Sequence, residues 1–290
     1  MRAAIGLAAW GRAMADLNDV KQAFDRFPAN PFYSAQPAVE PRQRYLIAMT
    51  PRSGSTLLAQ QLSTRCGLGH PGEFLNEGFI AHFQHLFPTP SLEDFERFLL
   101  ANFTTARGVF GFKSDWFRFR QAREIGYLPR LYERIDLAIL LRRRDFVAQA
   151  VSLAISMQSG IWHDNDVWFA KAEDAYAGLA YDAQMILQNV RGLMEQEYQW
   201  ARFAREAKIP VLRLDYEDFV GRIDQTLRTI VEALGHEMEI APGRSVGEPM
   251  RPTPSSVNSA WRLRFMASHG GLVERWQALR GTVSVRDLIA

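Results

Sequence analysis

Short apolar runs recur along this chain, and each gives way to a polar turn and then to apolar residues at helical spacing. Tyr45 to Met49, Gly108 to Lys113, Ile135 to Leu141 and Ile209 to Leu214 are of strand length and read as buried strands. Between them, Thr56 to Leu62, Ser91 to Ala106, Phe146 onward to Gln158, one or two long helices within 166–208, and Phe219 to Leu234 carry the helical repeat. Gly235 suits the residue after a helix end. Strands alternating with helices predict an α/β fold, with a parallel sheet covered on both faces. Trp10, Met14, Leu17, Phe24 and Phe27 predict a helix ahead of this core, and Pro28, Pro31, Pro37 and Pro41 an extended linker after it. The expected organisation is an N-terminal helical extension with a proline-rich linker over 1–41, then one domain over 42–290.

The first strand is followed by Thr50-Pro51-Arg52-Ser53-Gly54-Ser55 and then by a helix. Strand, glycine-containing loop and helix form an anion cradle, because loop N–H groups and the free N–H groups of the first helical turn converge on one point. The hydroxyls of Ser53, Ser55 and Thr56 add donors, and Arg52 adds a fixed charge. The reading is therefore a P-loop-like three-layer fold. The loop departs from GxxxxGK[ST], since Ser55 stands where the lysine would follow Gly54, and it lacks GxGxxG. An ordinary strand-to-helix turn with serine as the cap is the plain alternative. Arg142-Arg143-Arg144-Asp145 forms a second basic turn between a strand and a helix that carries Ser152, and this can hold another phosphate or be a solvated surface turn. Lys113 ends its strand, where ligands of open parallel sheets bind, on the side expected for Arg52.

Composition narrows the choice. The 290 residues are 47% hydrophobic and 23% charged, ample for one α/β domain with additions. A net charge of +2 gives no case for a nucleic-acid groove. Only four basic residues are lysine (Lys21, Lys113, Lys171 and Lys208), and the arginines suit bidentate contacts with phosphate or sulfate. No apolar run reaches the ~18 residues that cross a membrane. Residues 1–10 look superficially like a signal peptide but run into charged helical sequence, so they are read as mature protein. The lone Cys66 favours a reducing compartment, hence a cytoplasmic location. His70, His82 and His85 with Glu73 and Glu77 raise the question of a metal. With no HExxH or CxxC, and with Phe79, Phe83 and Phe87 between them, the reading is a helix packed by its aromatic face and no metal.

Three segments, Pro51–Leu58, Pro71–Phe74 and Arg142–Trp162, resemble the bacterial carbohydrate sulfotransferases typified by the trehalose-sulfating enzymes. The resemblance implies 3′-phosphoadenosine 5′-phosphosulfate (PAPS) as donor. It implies that Glu73 faces the transferred sulfonyl group as general base, with Arg52 and Lys113 beside the reaction. It implies that Arg52, Ser53, Gly54, Ser55 and Thr56 hold one end of the donor, and Arg143 and Ser152 its 3′-phosphate. Arg142 and Arg144 are alternatives by one residue of slip. His70, Trp116, Gln158 and Trp162 fall on the acceptor side, where the Trp162 ring offers a flat face to a sugar. His163 is a rival base. Arg251 and Trp261 match the family only loosely, and the helices around Arg262 to Arg280 read as ordinary packing. The implied acceptor is a carbohydrate or glycolipid hydroxyl. A P-loop-type kinase and a non-catalytic nucleotide-binding protein are the rival functions, and the N-terminal helix leaves open packing on the core, on a second subunit of a homodimer, or over the acceptor.

Overall fold

In the computed structural model, the described residues are 37, 39–162, 178–237 and 256–284. Among these residues, four parallel strands form a sheet: β1 (Gln43–Met49), β2 (Val109–Asp115), β3 (Leu137–Arg142) and β4 (Val211–Asp215), in the order β2-β1-β3-β4. The chain leaves β1 towards β2 and leaves β3 towards β4. The gap between the carboxyl ends of β1 and β3 is therefore the switch point, where open α/β sheets bind ligands.

The helices are α1 (Ser55–Cys66), α2 (Glu77–Leu86), α3 (Leu92–Phe103), α4 (Trp116–Ile125), α5 (Phe146–Ser159), α6 (Ala183–Glu206), α7 (Tyr216–Gly221), α8 (Ile223–Ala233) and α9 (Ser256–Leu279). Alternation along the strands sorts them into layers. Leu46 and Ala48 of β1 join Phe110 and Phe112 of β2 on one face, packed on Phe74, Phe95 and Leu99 with Phe119 and Trp200. Tyr45, Ile47 and Met49 face the other way with Ile139 and Leu141, against Leu58 and Leu62 of α1 and Leu227 and Ile230 of α8. Burying each such side chain contributes on the order of 2 kcal/mol. A third cluster joins α5 and α6 to Trp261, Phe265 and Trp276 of α9.

One close approach explains a glycine. Tyr45 lies opposite Gly111, its ring crosses β2 there, and its hydroxyl donates to the Leu68 carbonyl at 3.0 Å. A Cβ at Gly111 would stand 2.2 Å from that ring.

Some expectations change. The helix expected over Phe219 to Leu234 is two, because Arg222 (φ −145°, ψ 51°) leaves the helical region between α7 and α8. Helix α4 follows β2 directly, started by Asp115, whose carboxylate accepts from the N–H groups of Phe117 and Arg118 at 3.0 and 3.1 Å. Cap and first turn of α1 differ from the plain serine-capped turn: the cap is Gly54 at φ 85°, which supplies no side chain. The N-terminal helix, His163 and Arg251 lie outside the described residues. Among the described residues, no helix is long and apolar enough to cross a membrane, and no three His, Cys, Asp or Glu side chains gather as metal ligands.

Candidate active site

The loop after β1 is held from beneath by two side chains. Gln149 of α5, fully buried, donates from Nε2 to Thr50 Oγ1 (2.8 Å) and to the Pro51 carbonyl (2.7 Å). Trp200 of α6 donates from Nε1 to the Met49 carbonyl at 3.0 Å. So anchored, the loop turns through Arg52 in the left-handed region (φ 64°), a conformation uncommon outside glycine. That turn sends the Arg52 guanidinium towards α5. Its Nε donates to Ser152 Oγ at 3.0 Å, and a terminal nitrogen donates to the Trp162 carbonyl. The Ser53 hydroxyl is fully buried and has no hydrogen-bond partner. The Ser55 hydroxyl turns back to Met49 Sδ at 2.7 Å. Gly54 carries no side chain into the site, so the first-turn N–H groups of α1 are not capped by one, and this is the condition for an anion to sit there.

Glu73 reaches the same place along the free edge of β2. Gly72 forms a parallel bridge with Phe112, and its carbonyl accepts from the Lys113 N–H at 2.9 Å. Phe74, fully buried, pins the segment into the core. Lys113, only 6% exposed, then lies between two elements: Nζ donates to Thr56 Oγ1 at 2.9 Å and meets Glu73 Oε1 at 3.2 Å. The other carboxylate oxygen of Glu73 accepts from Asn76 Nδ2 at 3.0 Å, while Asn76 Oδ1 caps α2 through the Gly78 N–H. Burial alone would raise the Glu73 carboxyl. The charge of Lys113, the Asn76 hydrogen bond and the Arg118 charge together outweigh it, and the carboxyl sits below its ordinary 4.5. Glu73 is therefore ionised at neutral pH.

The second basic turn separates its three arginines. Arg142 donates to Asp215 Oδ1 at 2.5 Å, and Arg144 grips Asp218 at 2.9 and 3.1 Å. Arg143 has no such grip: its nearest carboxylate, Glu217, is 4.0 Å away, and its Nε is buried without a hydrogen-bond partner. Its guanidinium lies 5.3 Å from the centre of the Tyr216 ring. The same ring packs on Gly54, where a Cβ would come within 2.4 Å of it. Tyr216 thus couples the two turns.

The structure brings Arg52, Ser53, Gly54, Thr56, Glu73, Lys113, Arg143, Ser152 and Trp162 to the carboxyl end of the sheet. Trp162 is 42% exposed. Three expected acceptor residues are engaged elsewhere. His70 is exposed and pairs with Ser63 at 2.6 Å, two turns along α1 from Thr56. The Gln158 amide is spent on both backbone groups of Ala180, at 2.9 Å each. The Trp116 ring meets Trp200 edge-on at 5.1 Å within the core. Sequence reasoning passed over Asn76, Gln149 and Tyr216. Only Gln149 left a signal, as a glutamine on the apolar stripe of α5 with Phe146, Ala150 and Leu153.

Residues 129–268, which include the second turn, Ser152 and Trp162, match the family model Stf0 sulphotransferase. Trehalose 2-sulfotransferase of Mycolicibacterium smegmatis is 26% identical over 237 residues, covering 68% of this chain and 86% of that protein. Over 129–268, just under half of its length, the chain is thus similar to the Stf0 sulphotransferases. Among solved structures, the sulfotransferase domain of the Synechococcus PCC 7002 olefin synthase matches with a TM-score of 0.42 and 18% identity, over 81% of this chain and 91% of that chain. The loop after β1, Glu73 and Lys113 precede the span that the family model covers.

Proposed function

We propose that this chain transfers a sulfonyl group from PAPS to a hydroxyl of a carbohydrate or glycolipid acceptor, with Glu73 as the general base. The observation that carries the reading is the continuous link from Thr56 through Lys113 to Glu73, which joins an ionised carboxylate to the first turn of an uncapped helix. The fit to a donor bearing two phosphates rests on unmet donors of this structure. The buried Ser53 hydroxyl and the buried Arg143 Nε both lack partners and flank the switch point. The loop and α1 would hold the phosphosulfate end, and Arg143 with Ser152 the 3′-phosphate.

Such a donor supplies a sulfonyl group already activated on a phosphate leaving group. The protein's part is to deprotonate, align and stabilise. Glu73 takes the acceptor's hydroxyl proton as that oxygen bonds to sulfur, because a neutral alcohol is a poor nucleophile. As the bond from sulfur to the phosphate oxygen breaks, Lys113 and the α1 N–H groups stabilise the charge left on that oxygen. One preorganised donor of this kind is worth about 3 kcal/mol. Lys113 keeps Glu73 ionised beforehand. A carbohydrate acceptor is supported by the relation to trehalose 2-sulfotransferase and by the exposed Trp162, whose carbonyl accepts from Arg52.

The test is calorimetry with adenosine 3′,5′-bisphosphate on the wild type and on Glu73→Gln, paired with turnover of PAPS. Equal binding with turnover lost in the variant is expected. Normal turnover in the variant excludes Glu73 as the base, and no binding by the wild type excludes the donor.

A further inference from the structure

The last arginine of the described chain does more than pack. Arg280 follows α9, and its side chain is 4% exposed. Its guanidinium is divided between a carboxylate and a turn. Nε and one terminal nitrogen donate to Glu197 of α6 at 2.7 and 2.5 Å. The terminal nitrogens also reach the carbonyls of Arg143 (2.5 Å) and Arg144 (2.9 Å). The group lies 5.2 Å from the centre of the Phe146 ring. Arg262, from the same helix α9, donates to Asp145 Oδ2 at 2.8 Å, and Asp145 caps α5 through its other oxygen. Residues 143–145 are thus held through their backbone and their cap by two arginines of the C-terminal segment. The first of these carbonyls belongs to Arg143, the residue directly after the strand, whose Nε has no partner.

We infer that Arg280 is a positioning residue for the donor's 3′-phosphate: it fixes the 143–144 carbonyls, and so aims the Arg143 side chain, without touching the ligand. The inference rests on the donor reading given above. It assigns a role to a residue beyond the span that the family model matches, which ends at 268. The chemistry is direct. A guanidinium with five donors in a fixed plane can hold two adjacent carbonyls and a carboxylate at once, which a lysine cannot. With these carbonyls held by Arg280, and the N–H groups of Arg144 and Asp145 held by Glu217, the turn keeps its peptide planes and Arg143 its place over Tyr216.

The test compares two probes, adenosine 3′,5′-bisphosphate and adenosine 5′-monophosphate, by calorimetry. Because Arg280→Gln alone would strand the Glu197 carboxylate, the variant is Glu197→Gln/Arg280→Gln, with Arg280→Lys as a second and milder change. The preference of the wild type for the bisphosphate should fall about tenfold in the double variant, with monophosphate affinity unchanged, and recover in part in Arg280→Lys. In an Arg143→Gln background the same changes should have no further effect on the preference. For turnover, the KM for PAPS should rise while kcat stays within about twofold. If the wild type prefers the bisphosphate and the variants keep that preference, or lose both probes equally, Arg280 is not a positioning residue and the donor reading stands. If the wild type shows no preference, the donor reading itself fails and the role of Arg280 falls with it.

Discussion

Arg52 and Ser152, 100 positions apart in the chain, meet at 3.0 Å across the switch point of the sheet. The loop after β1 and the helix after β3 are therefore walls of one cleft, and the arginine of one wall already stands at the hydroxyl of the other.

This contact sets the first prediction. Arg52→Ala removes a charge and a donor from both walls, so affinity for adenosine 3′,5′-bisphosphate should fall at least tenfold. Ser152→Ala should cost severalfold less, since a neutral hydroxyl is the weaker partner. Calorimetry on the two variants gives the ranking, and the reverse order would remove Arg52 from the donor site.

Gly54 tests the coupling of the two turns. A methyl group there meets the Tyr216 ring at 2.4 Å, on a backbone at φ 85°. Gly54→Ala should lose roughly 1–2 kcal/mol to backbone strain, and more to the displaced ring. Tyr216→Ala makes room, so the double variant should be more stable than the sum of the single losses allows. Denaturant melts of the four proteins measure the difference.

Lys113 governs the acid side of activity. It holds the Glu73 carboxyl below 4.5 against a burial that pushes upward. Lys113→Met removes the largest of the lowering interactions, so the acid limb of the kcat/KM profile should move to higher pH. The stability linkage has the matching sign. A carboxyl depressed in the folded state contributes stability above its unfolded value and loses it as pH falls through the folded one. Wild-type stability should therefore decline on acidification below about 4.5, and Lys113→Met should show less of this decline.

Glu96 predicts the opposite slope, far from the cleft. It is 4% exposed, and burial, partly offset by the Arg130 N–H that it accepts at 2.7 Å, raises its carboxyl from 4.5 to about 7. Between those values the folded protein binds more protons than the unfolded chain, so this carboxyl lowers stability as pH rises towards 7. Glu96→Gln keeps an oxygen for Arg130 and loses the titration. Its melting temperature should exceed the wild type at pH 8, and the gap should narrow by pH 5.5.

The strands were legible because both faces of the sheet are covered. Tyr45 to Met49 had to be apolar throughout, so the run stands out whatever its register. Helix α4 was not legible. In Trp116 to Ile125 the arginines alternate with aromatics, and only the surrounding core selects Phe117 and Phe119 for burial. The cradle could be read because loop, glycine and hydroxyls are contiguous. The choice among Arg142, Arg143 and Arg144 could not be made locally. It depends on carboxylates 73 and 74 positions away, which occupy Arg142 and Arg144 and leave Arg143 on Tyr216. Nor could spacing reveal that Gln158 is taken by Ala180, or that the α9 segment supports the second turn.

The most direct measurement is transfer of labelled sulfonate from PAPS into carbohydrate, with trehalose and a glycolipid extract as acceptors, by the wild type and by Glu73→Gln. The wild type should label a hydroxyl-bearing product, and the variant should lose at least a hundredfold in rate while still binding adenosine 3′,5′-bisphosphate. Label transferred equally fast by Glu73→Gln, or no label transferred by a wild type that is folded and binds the bisphosphate, would contradict the account.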